Sequence, residues 1–379
     1  MSKKRIATSL LAVAMAAGSL FTGCSSSQGS STSAAVSTGA QSVASAESAS
    51  TANGTTQKKI KIGFALKTQD SPYFVALADA MKKSCAANGW DCTVLDANSN
   101  TSKEAENMET FISQKMDMIF IDSIDPDACV SSINQAADAG IGVIAVDSGV
   151  NATAKTITTV YSDNKQNGRL VGLAYAKKMA KNPILAIVLS GAKGNVAGQE
   201  RREGVFTGII EGRTGMSESD AWKASATFDN DLSSKGKATN SAANFTVAAQ
   251  GWGAWTRDGG LKAAEDLITA NKNLTTVIGE NDQMLFGAMT ALQNANITGV
   301  DQVAAADGAK EAYEYIKQGK YFATGENNPK KVVEKAVEIS KDILVNGKDK
   351  NSFAKITKTT PNAVTKDNVD QFYDANSIF

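Results

Sequence analysis

The residues that directly follow the short apolar runs of this chain are carboxylates, amides, aromatics and small hydroxyls. After Ile60–Leu66 come Lys67, Asp70, Ser71, Pro72, Tyr73 and Phe74, and after Val143–Val146 come Asp147 and Ser148. Farther along, Glu280, Asn281 and Asp282 follow one run, Asp307 and Gly308 a second, and Glu326, Asn327 and Asn328 a third. An ionised carboxylate accepts hydrogen bonds and an amide both donates and accepts, so this set suits a ligand rich in hydroxyls. Acid–base and metal chemistry of the common kinds is disfavoured. The chain contains no His, which removes the commonest general base and metal ligand and with them Ser-His-Asp triads and most zinc sites. Lys plus Arg equals Asp plus Glu at 39 each, without a long basic run in the body, so the electrostatic footprint of a nucleic-acid binder is missing. No cofactor is expected.

The elements that must position these groups begin well inside the chain. Lys3, Lys4 and Arg5 precede an apolar stretch, Ile6–Leu20, of signal-peptide length and short of a typical membrane span. The run Leu20, Phe21, Thr22, Gly23, Cys24 resembles the bacterial lipobox, although Phe21 stands where Leu is usual. Residues 1–23 therefore read as a lipoprotein signal peptide and Cys24 as a lipidation site that would hold the chain on a membrane through its acyl chains. Residues 24–57 add a tether whose Ser, Thr, Ala, Gly and Gln content cannot bury enough apolar surface to offset chain entropy. Of four cysteines, Cys85, Cys92 and Cys129 remain beyond Cys24, an odd number, and Cys85 continues the apolar helix face of Phe74, Leu77, Ala78 and Met81.

From residue 60 onward the pattern is that of β-α units and parallel sheets, and 379 residues favour two lobes over one. In the first, strands are expected at Ile60–Leu66, Thr93–Leu95, Met118–Ile121 and Val143–Val146, with helices at Pro72–Asn88, Ser102–Gln114 and Pro126–Ala139. A strand-like passage, Thr156–Val160, precedes a restart. The second lobe is read as helices from Asn164 to Met179, Val196 to Ile210, Gly260 to Ala270, Gln283 to Gln293 and Ala309 to Gln318. Its strands fall at Ile184–Leu189, Ala224–Phe228, Thr276–Ile278, Val303–Ala306 and Tyr321–Thr324. Residues 229–252, rich in Ser, Asn, Gly and Ala, read as a loop-like insertion. In open parallel sheets ligands bind beyond the C-terminal ends of the strands, where the polar residues named above lie.

At this point the chain resembles the ribose-type periplasmic sugar-binding proteins that serve ATP-driven sugar importers, over roughly residues 58–375. The resemblance rests on IGFALKTQDSPYFVAL, GVIAVDS, YSDNKQNGRLVG, GQERREGVF, GENDQMLFGAMTALQ, VAAADG and FATGENNP, in that order. It implies an α/β fold of two doubly wound parallel-sheet lobes joined by a three-crossing hinge. The crossings would lie near Tyr161–Asp163, near Asn327 and near Ile356–Lys358. Residues 58–160 plus 328–356 would form the N-terminal lobe, and residues 161–327 plus 357–379 the C-terminal lobe. It implies a monomer that closes around a small sugar or polyol and delivers it to the permease of an ABC importer. Tyr73, Phe74 and Trp255 would supply aromatic faces, and Asp147, Arg201, Asn281, Asp307 and Asn327 polar contacts. Ser71 and Ser148 occupy positions where the family has an Asn and often an Arg, which argues against ribose itself.

Each residue also has a plainer reading. An Asp or Asn after a strand often only caps the next helix, which suits Asp307 and Asp163. Phe74 begins an apolar helix face, and within the charged run ERRE, Glu200–Glu203, Arg202 reads as part of a solvated surface. The run Gly191–Gly198 lacks the phosphate-loop ending and reads as a tight turn near the cleft. A lactose-repressor relative would begin with a DNA-reading helix-turn-helix, where this chain has a signal and a tether. A ligand-presenting sensor for a membrane receptor, with a signalling ligand, remains the alternative function. An enzyme would need an acid–base pair such as Asp147 and Asp307.

Overall fold

Apolar runs of four to seven residues form strands because, with helices covering both faces of a sheet, every side chain of a central strand is buried. The computed structural model describes residues 59–379, so the expected signal peptide, the lipidation site expected at Cys24 and the expected tether lie outside the described residues. The first lobe comprises β1 (Lys61–Leu66), α1 (Pro72–Ala87), β2 (Asp91–Asp96), α2 (Thr101–Ser113), β3 (Met118–Ile121), α3 (Val130–Asp138), β4 (Gly142–Val146) and β5 (Thr159–Ser162). The chain then crosses into α4 (Asn164–Met179), β6 (Ile184–Ser190), α5 (Val196–Thr214), α6 (Glu218–Lys235), β7 (Ala238–Asn240) and β8 (Phe245–Trp252). The second lobe continues through α7 (Arg257–Ala270), β9 (Thr276–Gly279), α8 (Asp282–Asn294), β10 (Asp301–Asp307), α9 (Lys310–Lys317) and β11 (Ala323–Glu326). Finally α10 (Pro329–Leu344) and β12 (Ile356–Thr359) return to the first lobe, and β13 (Ala363–Thr365) joins the second.

The first sheet is six-stranded, in the order β12-β5-β4-β3-β1-β2, and all its pairings are parallel. The second is seven-stranded, β13-β11-β10-β9-β6-β8-β7, parallel except where β7 and β13 run antiparallel to their neighbours. Each sheet is packed on both faces. Ile62, Phe64, Met118 and Ile144 face α1 and α10 on one side of the first, while Ala65, Ile119, Ile121 and Val143 face α2 and α3 on the other. The second sheet divides its core the same way, between Ile187, Leu189 and Val277 on one face and Ala186, Val188 and Val303 on the other. Gly89 and Gly140 follow their helices at φ 72° and 84°, the left-handed conformation in which glycine commonly ends a helix.

Several boundaries differ from the sequence reading. Ala224–Phe228 is not a strand: it lies inside α6, whose buried positions Ala221, Ser225, Phe228 and Leu232 have helical spacing. Ser217 caps this helix by accepting from the Asp220 amide at 3.2 Å, and Gly236 ends it at φ 73°. The supposed loop 229–252 is accordingly the end of α6, then the β7–β8 hairpin. The α3 helix starts at Val130 rather than Pro126, because the Asp125 carboxylate draws the amides of Asp127 and Ala128 into a turn. Lastly, β5 runs to Ser162 and β12 to Thr359, so both strands stay in the first sheet slightly beyond the divisions expected after residues 160 and 356.

Candidate functional site

On the first-lobe side, the β1–α1 turn sets the geometry. Ser71 caps α1 by accepting from the Tyr73 amide at 3.3 Å, with Pro72 in the first turn, and this turns Tyr73 inward. The Tyr73 hydroxyl donates to Asp147 Oδ1 at 2.5 Å and lies 3.2 Å from Asn327 Oδ1, bridging the end of β4 to a hinge crossing. Phe74 is half-buried and meets Tyr73 edge-on at 5.4 Å, with the Lys67 ammonium 4.3 Å from its ring centre. Lys67 in turn donates to Ser148 Oγ at 2.8 Å and sits 3.3 Å from Asp122 and 3.7 Å from Asp147. Asp147 itself has φ 61°, in the region where non-glycine residues are uncommon and which gathers at functional sites.

Two helices position the other side. Gly168 and Gly172 of α4 face Gly204 and Gly208 of α5 so closely that a Cβ on Gly172 would lie 2.3 Å from the Val205 carbonyl oxygen. That contact holds Arg201 against the start of α4, where its Nε donates to Asn164 Oδ1 at 3.0 Å. Arg201 Nη1 also donates to Asp307 Oδ1 at 3.2 Å and approaches the Glu280 carbonyl oxygen at 3.4 Å. Above the guanidinium, 5.7 Å from its carbon, stands the ring of Trp255, a residue at φ 64°. A Cβ on Gly191 would sit 1.9 Å from this ring, so the glycine run after β6 is the tight turn expected, and its lack of a side chain makes room for Trp255. Asn281 caps α8 by accepting from the Met284 amide at 3.1 Å and donates to the Trp255 carbonyl at 3.1 Å. Asn327, buried, donates its backbone amide to the Asp307 carbonyl at 2.8 Å.

The cap reading holds for Asp163, which accepts from the Gln166 amide at 3.3 Å, and fails for Asp307. Helix α9 starts after Ala309, without a side-chain cap, and the Asp307 carboxylate is turned to Arg201. Arg202 is not on a solvated face either. It is 7 % exposed, forks onto Asp229 at 2.6 and 2.9 Å, and reaches Glu280 Oε1 at 3.0 Å. Because Asp229 belongs to α6, this ion triad ties the added helix to the strand end that carries Asn281.

Burial dominates the electrostatics. It pushes the Asp122 carboxyl up to about 7 against the pull of Lys67, and Asp307 up to about 7 against the pull of Arg201. Burial alone would lower Lys67, yet Asp122 and Asp147 more than offset it and hold the ammonium above the ordinary lysine value. Burial, reinforced by Asp147, raises Tyr73 well above an ordinary phenol, so its hydroxyl stays protonated as a donor. Neither oxygen of Asp122 accepts a well-aligned hydrogen bond, which leaves Lys67 as its nearest charge partner.

The structure thus gathers Tyr73, Phe74, Asp147 and Ser148 with Lys67 and Asp122 at the end of the first sheet. Arg201, Trp255, Asn281, Asp307 and Asn327 gather at the facing end of the second. Ser71 and Asn281 have their side chains engaged as caps at the edges of this cluster. Beside it, a crevice of about 420 Å³ runs between the lobes, bordered by Asp147, Tyr161, Asn164, Val196 and Glu200. Four groups in the cluster were not among the expected contacts. Lys67 stands in the polar run after β1 and Asn164 in the run YSDNKQNGRLVG, so both were visible there without being singled out; Asp122 follows β3 with only Ser123 beside it. Phe379 gave no signal at all, and its ring meets Tyr73 edge-on at 5.4 Å while packing on the second-lobe core.

Comparison with known proteins agrees with this architecture. Residues 62–349 match the family model described as a periplasmic binding protein domain. The ribose import binding protein of Salmonella typhimurium is 27 % identical over 296 residues, covering 78 % of this chain and 88 % of that protein. Its Bacillus subtilis counterpart is 28 % identical over 297 residues, covering 78 % and 85 %. Among solved structures, an ABC transporter solute-binding protein from Mycobacterium smegmatis with bound glycerol superimposes with a TM-score of 0.66 at 27 % identity, over 84 % of this chain and 98 % of that one. With two doubly wound lobes, a polar cluster where their strand ends face each other, and a family match over most of its length, the chain belongs to the periplasmic binding proteins.

Proposed function

We propose that this protein captures a small sugar or polyol between its lobes outside the cytoplasm and delivers it to an ABC importer. The observation that carries this reading is the convergence on one cleft of acceptors and donors from both lobes: Asp147, Ser148 and Lys67 from one, Arg201 and Asp307 from the other. Trp255 and Phe74 offer ring faces for the C–H surfaces of a sugar. The names of similar proteins support it, since they describe import of ribose and binding of glycerol, D-allose and myo-inositol. Lobe closure would bury the ligand, the motion the handful of hinge residues near Asp163, Asn327 and Thr359 would allow. Cys24 would carry the lipid anchor, and the protein would act as a monomer beside the permease.

The test is equilibrium titration of wild type and of Asp147→Ala with the ligand that binds. Loss of hydrogen bonds to a charged acceptor is worth about 1.5–3 kcal/mol, or roughly 10- to 100-fold in affinity. Unchanged affinity, with the fold intact by circular dichroism, would remove Asp147 from the site.

A further inference from the structure

Cys85 and Cys92 lie outside the cleft, and nothing in ligand capture uses them. Cys85 is on the last turns of α1 and fully buried against the first sheet, within the cluster of Ile62, Phe64 and Met81. In β2 the exposed Asp91 and Thr93 alternate with Cys92 and Val94, which turn to the same layer beneath α1. The connection folds back on Cys85 itself: its carbonyl accepts from the Asn88 amide at 3.0 Å and from the Trp90 amide at 2.9 Å, two residues before Cys92. All three described cysteines are thiols, and those of Cys85 and Cys92 share the layer beneath α1, near enough that each acts on the ionisation of the other. Cys129 is on the opposite face of the sheet, with its thiol against the Pro126 carbonyl at 3.5 Å.

We propose that Cys85 and Cys92 form an intramolecular disulfide that staples the end of α1 to the start of β2 when the chain meets a thiol–disulfide oxidant. The odd cysteine left by the sequence count is then Cys129. Cys92 is the entry point, because it is partly exposed, whereas Cys85 is sealed under α1. The neighbouring Cys85 and, after it, the Lys82 ammonium also favour the Cys92 thiolate. In the first step that thiolate attacks a small disulfide such as oxidised glutathione, forming a mixed disulfide and expelling one glutathione thiolate, which takes up the proton Cys92 lost. In the second, Cys85 gives up its proton and attacks the Cys92 sulfur, closing the Cys85–Cys92 bond and expelling the second glutathione. Two protein thiols are oxidised and one glutathione disulfide is reduced to two thiols. Such bonds persist in the extracytoplasmic setting proposed above, but the chemistry does not depend on ligand binding.

Trypsin makes the test simple, because both residues fall in one peptide, Ser84–Lys103. Reduced full-length protein is exposed to oxidised glutathione, denatured in iodoacetamide and digested. The expected product is that peptide lighter by two hydrogen atoms and without alkyl groups, while the Cys129 peptide is alkylated. In Cys85→Ser, the same treatment should trap glutathione on Cys92. The oxidised wild type should also unfold about 5 °C above the reduced form. Two alkylated cysteines in Ser84–Lys103, or glutathione adducts on the wild type that never resolve, would overturn the proposal. So would a bond of either residue to Cys129.

Discussion

Replacing Arg202 by Met distinguishes a buried ion triad from a solvated helix face. Asp229 and Glu280 have side chains 4 % and 0 % exposed, and between them they accept three charge-assisted hydrogen bonds from Arg202. Removing one partner of a buried ion pair typically costs about 3–5 kcal/mol, because the remaining carboxylates are stranded in a low-dielectric interior. An exposed substitution would change stability by less than about 0.5 kcal/mol. Urea unfolding of wild type and Arg202→Met, monitored by far-ultraviolet circular dichroism, reads the difference directly. Neutralising the stranded groups as well, in Arg202→Met/Asp229→Leu/Glu280→Gln, should recover most of the loss. Glutamine at 280 is chosen because Glu280 Oε2 also accepts from the Gly191 amide at 2.8 Å. A single variant within about 1 kcal/mol of wild type, or a triple variant weaker than the single one, would refute the reasoning.

Three further outcomes are expected. Asp122 and Asp307 titrate near 7 in the folded chain, above the ordinary carboxyl value of about 3.9, so between about pH 4 and 7 the folded state holds more protons than the unfolded one. Their contribution to stability is therefore present at low pH and lost as pH rises through 7, by at most about 1.4 kcal/mol per pH unit for each group, a slope that Asp307→Asn should reduce. A ligand hydroxyl donating to Asp307 would favour its charged form, so calorimetry in buffers of different ionisation enthalpy should record proton release near pH 6.5; buffer-independent heats would count against that contact. Separately, Cys24→Ser should shift the protein from the membrane to the soluble fraction, and retention on the membrane would count against lipid anchoring.

Much of the fold was legible because burial writes itself into composition. Central strands such as Met118–Ile121 and helices such as Asn164–Met179 fall where the apolar runs and the 3.6-residue pattern place them. What failed was the stretch after α5. There Ala224–Phe228 has the look of a strand, and only the longer spacing from Ala221 to Leu232 reveals a helix. Arg202 misled for a related reason: its partners, Asp229 and Glu280, are 27 and 78 residues away in sequence, and no local pattern announces a pairing across that distance. The cleft residues were readable as strand-end polar groups, and the resemblance chose among them. Sequence could not separate capping from ligand contact at Ser71 and Asn281, since the same oxygen serves either purpose. Lys67 was in view but unassigned, because the carboxylates it pairs with, Asp122 and Asp147, come from two other strands. Phe379 reaches Tyr73 only through tertiary packing.

The central claim is capture of a small hydroxyl-rich ligand, and thermal unfolding of the chain from Lys58 onward tests it most directly. The panel should include pentoses, hexoses, polyols and small glycosides. A ligand that binds only the folded state adds about 2.7 kcal/mol at a hundred times its dissociation constant, and for a body of this size that moves the midpoint by several degrees. One sugar or polyol that raises the midpoint, and does so much less in Asp147→Ala, is the predicted result. A panel with no shift at any concentration would contradict the account and turn attention to a non-sugar ligand presented to a receptor.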